Sequence, residues 1–243
     1  MHGLYLYAIA ESAPALPETF RGLGGYPVFF LVRGGLAAVV SRSPLRSWAP
    51  DEAHLTCHEA VVEEVMASRA VLPARFNSVF PTAGGVVSFL GKRSEALQRR
   101  LAQVKGKVEM GLRVLWEPGV CSAGAGSGEL PPGEGPGARY LQERLKAERL
   151  REGLRERGMR PVQQIQAALS PVVAESWIRQ CPTERLLLTG AYLVEQTRVE
   201  VFETEVAGLQ ARLRHLRFLC SGPWPPYHFV GDGAEDEQGR LGE

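Results

Sequence analysis

Two histidines and a cysteine lie close together in the chain, at His54, Cys57 and His58. Imidazole rings four residues apart lie on the same side of a helix, a spacing that could hold a metal ion. A tetrahedral site needs further ligands, and neither an HExxH motif nor a second ligand cluster accompanies this group. His58 also falls on an apolar stripe between Leu55 and Val62. We therefore predict that His58 is a packed, hydrogen-bonded residue and that the chain has no metal site.

The second candidate for chemistry is Arg75, which stands between Pro73 and Phe76 in the stretch "VLPARFNSVF". If this guanidinium is buried in its apolar, proline-constrained surroundings, it needs a carboxylate or carbonyl partner. Catalytic use would require a convergent acid or base, which the sequence does not supply, so we favour a structural ion pair. The sequence also lacks GxSxG, P-loop and zinc signatures. We predict no catalytic residue and no cofactor.

The elements that hold these residues form an N-terminal α+β unit, which we assign to residues 1–104. A proline inside the β-rich stretch 71–80 indicates a sheet edge or a turn, because proline cannot donate a ladder hydrogen bond. The other predicted elements are strands at Leu4–Ile9, Val28–Val32 and Leu36–Ser41, a hairpin turn at Arg33–Gly35, a helix that begins at Pro50–Asp51, and a second helix over Gly84–Val104.

Residues 105–230 are predicted to form a second domain with the order β, α, β, β, α, β of ferredoxin-like folds. Its first strand, Lys105–Trp116, alternates apolar residues with polar ones such as Glu109, which predicts one buried face and one wet face. Its closing strand is predicted at His215–Cys220, at the edge of the sheet. The predicted fold is therefore α+β in two domains.

The second domain is predicted to contain an insertion. Glycine and proline dominate residues 118–137, which predicts a flexible loop. A charged helix over 138–157 follows, and Gly158 and Pro161 are expected to break it before the next helix, so that the two helices form a hairpin. The acidic, glycine-rich residues 231–243 are predicted to be a disordered tail.

Composition narrows the possible partners. The 243 residues carry a net charge of +1, which gives no general attraction to nucleic acid or anionic membranes. No apolar run approaches the ~18 residues that a membrane-spanning helix requires. The four cysteines are widely spread without a CxxC pair, so we predict reduced thiols and a cytoplasmic protein.

The stretch "SGPWPPYHFV" at 221–230 encloses a tryptophan between prolines. Proline removes a backbone donor, so strand pairing is expected to stop at Pro223 and the edge of the sheet to be protected. The aromatic residues Trp224, Tyr227 and Phe229 supply apolar area that could cover the sheet or the domain junction. A partner surface or a proline-rich ligand for an adaptor module is the alternative that this stretch leaves open.

The same stretch resembles the closing motif of the GvpF/GvpL family of gas vesicle proteins, GPWPPYxFV. Other segments agree with the family in order and spacing: "LYLYAI" at 4–9, "VLPARFNSVF" at 71–80 with His58 upstream, "KVEMGLRV" at 107–114 and "LLLTGAYLVEQTRVEVF" at 186–202. Asn77 and Thr189-Gly190 depart from the family pattern. Asn77 replaces a glycine, and because asparagine tolerates positive φ, the turn at 77 is expected to survive.

The resemblance implies a minor component or assembly factor of gas vesicles that contacts the shell protein GvpA and other gas vesicle proteins without catalysing a reaction. The contact surface is expected to include the sheet edges or the C-terminal segment Trp224, Pro225, Pro226, Tyr227 and Phe229, whereas His58, Pro73, Arg75 and Phe76 are expected to be structural. The competing hypothesis is a ferredoxin-like sensor or enzyme for a small molecule, since a fold does not determine a function.

Overall fold

Two β-sheets and five helices make up the described chain, which in this computed structural model comprises residues 2–11, 19–118, 136–181, 183 and 185–230. The strands are β1 (His2–Glu11), β2 (Val28–Arg33), β3 (Leu36–Pro44), β4 (Val71–Pro73), β5 (Val79–Phe80), β6 (Lys107–Trp116), β7 (Glu175–Gln180), β8 (Leu186–Glu195) and β9 (Leu216–Trp224). The helices are α1 (Glu52–Met66), α2 (Ala83–Lys92), α3 (Ser94–Val104), α4 (Pro136–Leu169) and α5 (Val199–Arg212). The predicted α+β class is confirmed.

The chain divides into two compact units. The first contains the residues up to Glu109 together with the segment that begins at Trp224, and the second runs from Met110 to Pro223. The sequence had suggested a boundary near residue 104 and had assigned 224–230 to the C-terminal domain. The structure groups the C-terminal segment with the first unit because its short 3-10 turn, Tyr227–Phe229, packs against β4.

The sheet of the first unit has the strand order β2-β3-β1-β4, and β5 also pairs with β1. Central strand β1 is buried along nearly its whole length, because it has neighbouring strands on both sides and helices over its faces. The hydrophobic core on the α1 side combines alternate residues of the strands with valines of the helix: Tyr5, Tyr7, Val28, Val39, Val61, Val62 and Val65. The apolar residues that alternate along the strands therefore pack against those that recur at helical spacing in α1.

The turn between β2 and β3 confirms the predicted hairpin. Gly34 and Gly35 adopt φ values of 58° and 79°, in the left-handed region where a residue with a β-carbon is strained. Successive residues of positive φ give the turn the twist that an antiparallel pair requires. The register from Val28↔Ser41 to Arg33↔Leu36 is continuous along the pair.

The single helix predicted over Gly84–Val104 was wrong, because the chain forms α2 and α3 with Arg93 between them. The two helices bury their apolar residues against different strands, α2 against β2 and β3 and α3 against β4 and β1. A straight helix cannot direct both apolar stripes to these separate places, so the chain changes direction at Arg93.

The second unit has the element order β6, α4, β7, β8, α5, β9 and the strand order β7-β8-β6-β9. Strand β9 extends to Trp224, so the expectation that the strand ends at Cys220 and that pairing stops at Pro223 was wrong. Because β9 is an edge strand, a proline whose nitrogen lies on the outer side costs no ladder hydrogen bond. No helix in the described ranges has the length and apolarity needed to span a membrane.

The predicted helical hairpin was also wrong, because α4 is one continuous helix of 34 residues with Pro161 inside it. Its buried positions begin at Leu154 and recur at helical spacing through Leu169. This tertiary packing outweighs the loss of one backbone hydrogen bond at the proline. The predicted charged helix 138–157 is the first part of α4. Most of the predicted loop 118–137 and the whole predicted tail 231–243 lie outside the described residues.

Gly158 allows α4 to lie close to the sheet. A β-carbon added at this position would stand 2.6 Å from Leu187 Cδ1 and 2.8 Å from Gln180 Nε2. Gly153, five residues earlier in the same helix, has no atom within 4 Å of such a β-carbon. The two glycines therefore separate the effect of helix propensity from the effect of crowding against the sheet.

We expect Gly153→Ala to raise the free energy of unfolding by about 0.5–1 kcal/mol, since alanine is the better helix former. Gly158→Leu should lower it by about 1–3 kcal/mol, because the side chain overlaps β8. Urea unfolding followed by circular dichroism would measure both changes. Equal effects of the two substitutions would contradict the close packing of α4 at Gly158.

Candidate functional site

The C-terminal segment is anchored by most of the residues that the sequence had suggested for partner binding. Pro225, Pro226 and Phe229 are buried, and Tyr227 is half-buried. Backbone hydrogen bonds from Tyr227 N–H to the Pro225 carbonyl, 2.8 Å, and from Phe229 N–H to the Pro226 carbonyl, 3.1 Å, form a tight turn. Trp224 is 41% exposed. The turn therefore holds the segment in place while Trp224 remains available at the surface.

The main polar anchor of this segment is Glu109, which is only 5% exposed. One carboxylate oxygen accepts a hydrogen bond from the backbone N–H of His228 at 2.8 Å, and the other lies 2.7 Å from His228 Nδ1. Charge-assisted hydrogen bonds of this kind are among the stronger polar contacts in proteins. The sequence had placed Glu109 on the wet face of its strand, and that expectation was wrong because the C-terminal segment covers it. No signal local to β6 identifies a partner 119 residues away.

His58 lies in the core of the first unit and is 3% exposed. Its Nδ1 atom lies 3.0 Å from the Tyr5 hydroxyl, which also accepts a hydrogen bond from the Asn77 backbone N–H at 3.0 Å. The prediction of a packed, hydrogen-bonded histidine is confirmed. Its Nε2 atom makes no hydrogen bond of ordinary geometry with any described residue, although the Ala74 carbonyl lies near enough to favour the protonated ring.

Aromatic rings surround His58. The ring stacks on Tyr7 at a centroid distance of 5.6 Å, and it meets Tyr5 and Phe76 edge-on at 5.7 and 5.9 Å. The ring of Tyr227 lies 6.5 Å away, so the C-terminal segment completes the cluster. Burial in this apolar environment lowers the pKa of His58 to about 4, and the Ala74 carbonyl opposes the shift only partly.

Asn77 holds the turn that leads into β5. Its φ of 69° lies in the left-handed region, which confirms that asparagine can keep this turn. The side-chain amide forms two hydrogen bonds with the backbone of Trp48, accepting from its N–H at 2.8 Å and donating to its carbonyl at 3.0 Å. The same residue therefore ties the loop before α1 to the Tyr5–His58 pair.

The remaining sequence candidates lie apart from one another. His54 bonds Asp51 at 2.9 Å at the surface end of α1, whereas His58 points into the core, so the two imidazoles do not converge. Pro73 is buried at the end of edge strand β4, as its position predicted. The side chain of Arg75 is exposed, and its backbone carbonyl accepts two hydrogen bonds from Ser78. Across the described part of the chain, no three His, Cys, Asp or Glu side chains cluster as metal ligands would.

The buried His58 predicts a stability that depends on pH. The unfolded chain binds a proton near pH 6.5 and the folded chain only near pH 4, so the folded state loses stability as the pH falls through this interval. The loss should reach about 3 kcal/mol at pH 4 and vanish above pH 7. Urea unfolding at several pH values would measure it.

His58→Gln should remove most of this pH dependence, even if the variant is less stable at neutral pH. His54→Gln changes a histidine at the surface of the same helix and is the matched control, for which the wild-type slope is expected. An unchanged slope in His58→Gln would show that other groups cause the acid sensitivity.

The anchoring role of Glu109 predicts a local effect on the C-terminal segment. Glu109→Gln keeps the side-chain size but removes the charge and one acceptor, so amide hydrogen exchange at His228 should become about tenfold faster. Glu11→Gln disturbs an exposed ion pair with Lys105 in the same unit and should leave this exchange rate unchanged. Equal rates in the wild type and Glu109→Gln would contradict the anchoring role.

Comparison with known proteins places this architecture in a family. The family model of gas vesicle synthesis protein GvpL/GvpF matches residues 3–231. Gas vesicle protein F of Streptomyces sp. (strain CB03234) is 32% identical over 245 residues, covering 93% of this chain and 98% of the relative. Gas vesicle protein L of the same strain is 30% identical, covering 96% and 94%.

The fold agrees with a solved structure as well. The crystal structure of gas vesicle protein GvpF from Anabaena sp. PCC7120 superimposes with a TM-score of 0.74 at 21% identity, covering 95% of this chain and 99% of that one. These matches extend over nearly the whole chain and confirm the resemblance that the sequence motifs indicated. The chain belongs to the family of gas vesicle synthesis proteins GvpL/GvpF.

Proposed function

We propose that this protein is a non-catalytic minor structural component or assembly factor of gas vesicles, and that it binds the shell protein GvpA and limits its aggregation while vesicles form. Membership of the GvpL/GvpF family supports a role in gas vesicles. A shell subunit must present an apolar face to the gas, and such a face aggregates when it is exposed to water before assembly. A partner that covers this face in the cytoplasm would prevent this aggregation.

The proposed contact rests on the difference in burial within the C-terminal segment. Pro225, Pro226 and Phe229 are buried and Glu109 holds His228, whereas Trp224 is exposed at the start of this anchored turn. Tryptophan is frequent among the residues that dominate binding energies, and a fixed backbone lowers the entropy cost of using it. We therefore propose Trp224 as a contact residue for the shell protein. The adjoining residues Pro225, Pro226, Tyr227 and Phe229 would hold it in position.

The second unit supports this proposal as a scaffold. Its element order and its strand order β7-β8-β6-β9 favour a ferredoxin-like domain, in which β9 and therefore Trp224 lie at a sheet edge. The candidate residues with unusual chemistry, His58 and Tyr5, are buried within an aromatic cluster. This arrangement favours a structural role for them over catalysis.

Co-expression with GvpA tests the proposal. We expect the shell protein to co-purify with this chain, and its soluble fraction to increase when the chain is present. Trp224→Ala should reduce co-purification about tenfold or more, because a central tryptophan contributes on the order of 2 kcal/mol at many interfaces. Circular dichroism of the variant would verify that the fold is intact.

Trp177→Ala is the matched control, because Trp177 is also 41% exposed and lies in β7 of the second unit. It should leave co-purification unchanged. Failure of the wild type to retain any shell protein would contradict GvpA as the partner. Equal binding by both tryptophan variants would instead contradict only the position of the contact.

A further inference from the structure

Strand β2 forms an open edge of the first sheet. Its inner side pairs with β3 from Val28↔Ser41 to Arg33↔Leu36. On its outer side the Val28 N–H donates a hydrogen bond to the Phe20 carbonyl at 3.2 Å, and beyond this point no strand among the described residues pairs with β2. In an antiparallel pair, about half of the backbone N–H and C=O groups of an edge strand point away from the sheet. From Phe30 to Val32, the outer side of β2 therefore offers main-chain donors and acceptors to an additional strand.

This edge lacks the features that usually protect an exposed strand. Its sequence, "VFFLVR", contains no proline and no charge before Arg33. Phe29 is 37% exposed and Val32 is 54% exposed, and both residue types have high β-propensity. An apolar edge strand without such protection favours pairing with another chain, and we therefore interpret this edge as a binding site.

The face of β2 that is directed toward α2 is basic. Phe29 of β2, Arg42 of β3 and the first residues of β1 line an open groove of about 420 Å³ beside the first residues of α2, so this groove lies over the inner strands as well as β2. Arg33, on the same face of β2 by the period of the strand, donates a hydrogen bond to the Val87 carbonyl at 3.1 Å. No described carboxylate forms an ion pair with Arg33 or Arg42. Two cations thus lie on this face, Arg33 at the end of β2 and Arg42 on the neighbouring strand β3 beside the start of β2.

The opposite face of β2 is mainly apolar. Phe30 packs against the hydrophobic core, and the guanidinium of Arg69 lies 5.4 Å from the centre of its ring. Val32, two residues further along, leaves most of its surface on this side. One set of alternate side chains of a strand added beside β2 would therefore meet Arg33. The other set would meet Phe30 and Val32, with the Arg69 guanidinium beside Phe30.

We infer that the outer edge of β2 binds an extended segment of a partner protein in which acidic and apolar residues alternate. Main-chain hydrogen bonds would supply the affinity for a strand, and the arginines on one face would select acidic side chains. The inference goes beyond the proposed function, because the edge and its charges recognise a segment of this pattern in any gas vesicle protein. It does not depend on GvpA or on Trp224.

The test uses the full chain and a labelled eight-residue peptide of alternating valine and glutamate, with binding followed by fluorescence anisotropy at low salt. We expect saturable binding of the glutamate peptide, at least about tenfold weaker binding of the peptide with lysine in place of glutamate, and loss of binding when alternate amides of the glutamate peptide are N-methylated. Bound peptide should slow the hydrogen exchange of amides in Val28–Arg33.

Val32→Glu places a negative charge on the exposed edge and should weaken binding of the glutamate peptide about tenfold. Val201→Glu is the matched control, because Val201 is 45% exposed on α5 in the other unit and should leave binding unchanged. The inference is overturned if the glutamate peptide does not bind by about 2 mM, if the lysine or N-methylated peptide binds equally well, or if Val32→Glu has no effect.

Sedimentation velocity of the chain without peptide decides between a partner and a second copy. We expect a monomer for the wild type and for Val32→Glu. A wild-type dimer that dissociates in Val32→Glu would overturn the inference, because the occupant of the edge would then be a second copy of this chain.

Discussion

The place of the C-terminal segment in the first unit depends on one buried carboxylate. Glu109 accepts a hydrogen bond from the backbone of His228 and contacts its ring, and in this way it joins the end of the described chain to the start of β6. A buried carboxylate is costly unless it is fully hydrogen-bonded, so the turn at Tyr227–Phe229 and the burial of Glu109 require each other. The same anchored turn brings the ring of Tyr227 to 6.5 Å from that of His58, and it begins directly after the exposed Trp224.

The polar atoms of the first unit form a chain of contacts that connects distant parts of the sequence. Tyr5 joins His58 and Asn77, and Asn77 in turn binds the backbone of Trp48. Similarly, the hydroxyl of Tyr7 accepts a hydrogen bond from the backbone of Leu23 at 2.8 Å and contacts Ser41 Oγ at 2.9 Å. The two tyrosines of β1 therefore bury large apolar rings and still satisfy their hydroxyl groups, which explains how a central strand tolerates them.

Local patterns predicted the features that depend on neighbouring residues. The β2–β3 hairpin followed from Gly34-Gly35, the packed state of His58 from its apolar stripe, and the turn at 77 from the tolerance of asparagine for positive φ. The partner of Glu109 could not be predicted, because alternation along β6 indicates which face a side chain occupies but not what covers that face. The same limit applies to the bonds between Asn77 and Trp48, which are 29 residues apart.

The error in α4 had the opposite cause, since the local signals for a break were strong but packing overruled them. Gly158 and Pro161 suggested a break, yet both positions are buried within α4, where close contact with the sheet compensates for the missing hydrogen bond. Conversely, nothing in Gly84–Val104 suggested the change of direction at Arg93, which depends on the strands that α2 and α3 cover. Helix limits in this protein are therefore a property of the tertiary structure.

Helix α4 consists of two stretches with different sources of stability. With 34 residues it is about 51 Å long, but its continuous buried face begins only at Leu154, and Tyr140, Leu141 and Leu145 before it are exposed. The later stretch unfolds only if the sheet loses its cover, whereas the earlier one is maintained by helix propensity and by pairs such as Glu148–Arg151. The earlier stretch can consequently open and close as an independent cooperative segment at little cost to the rest of its unit.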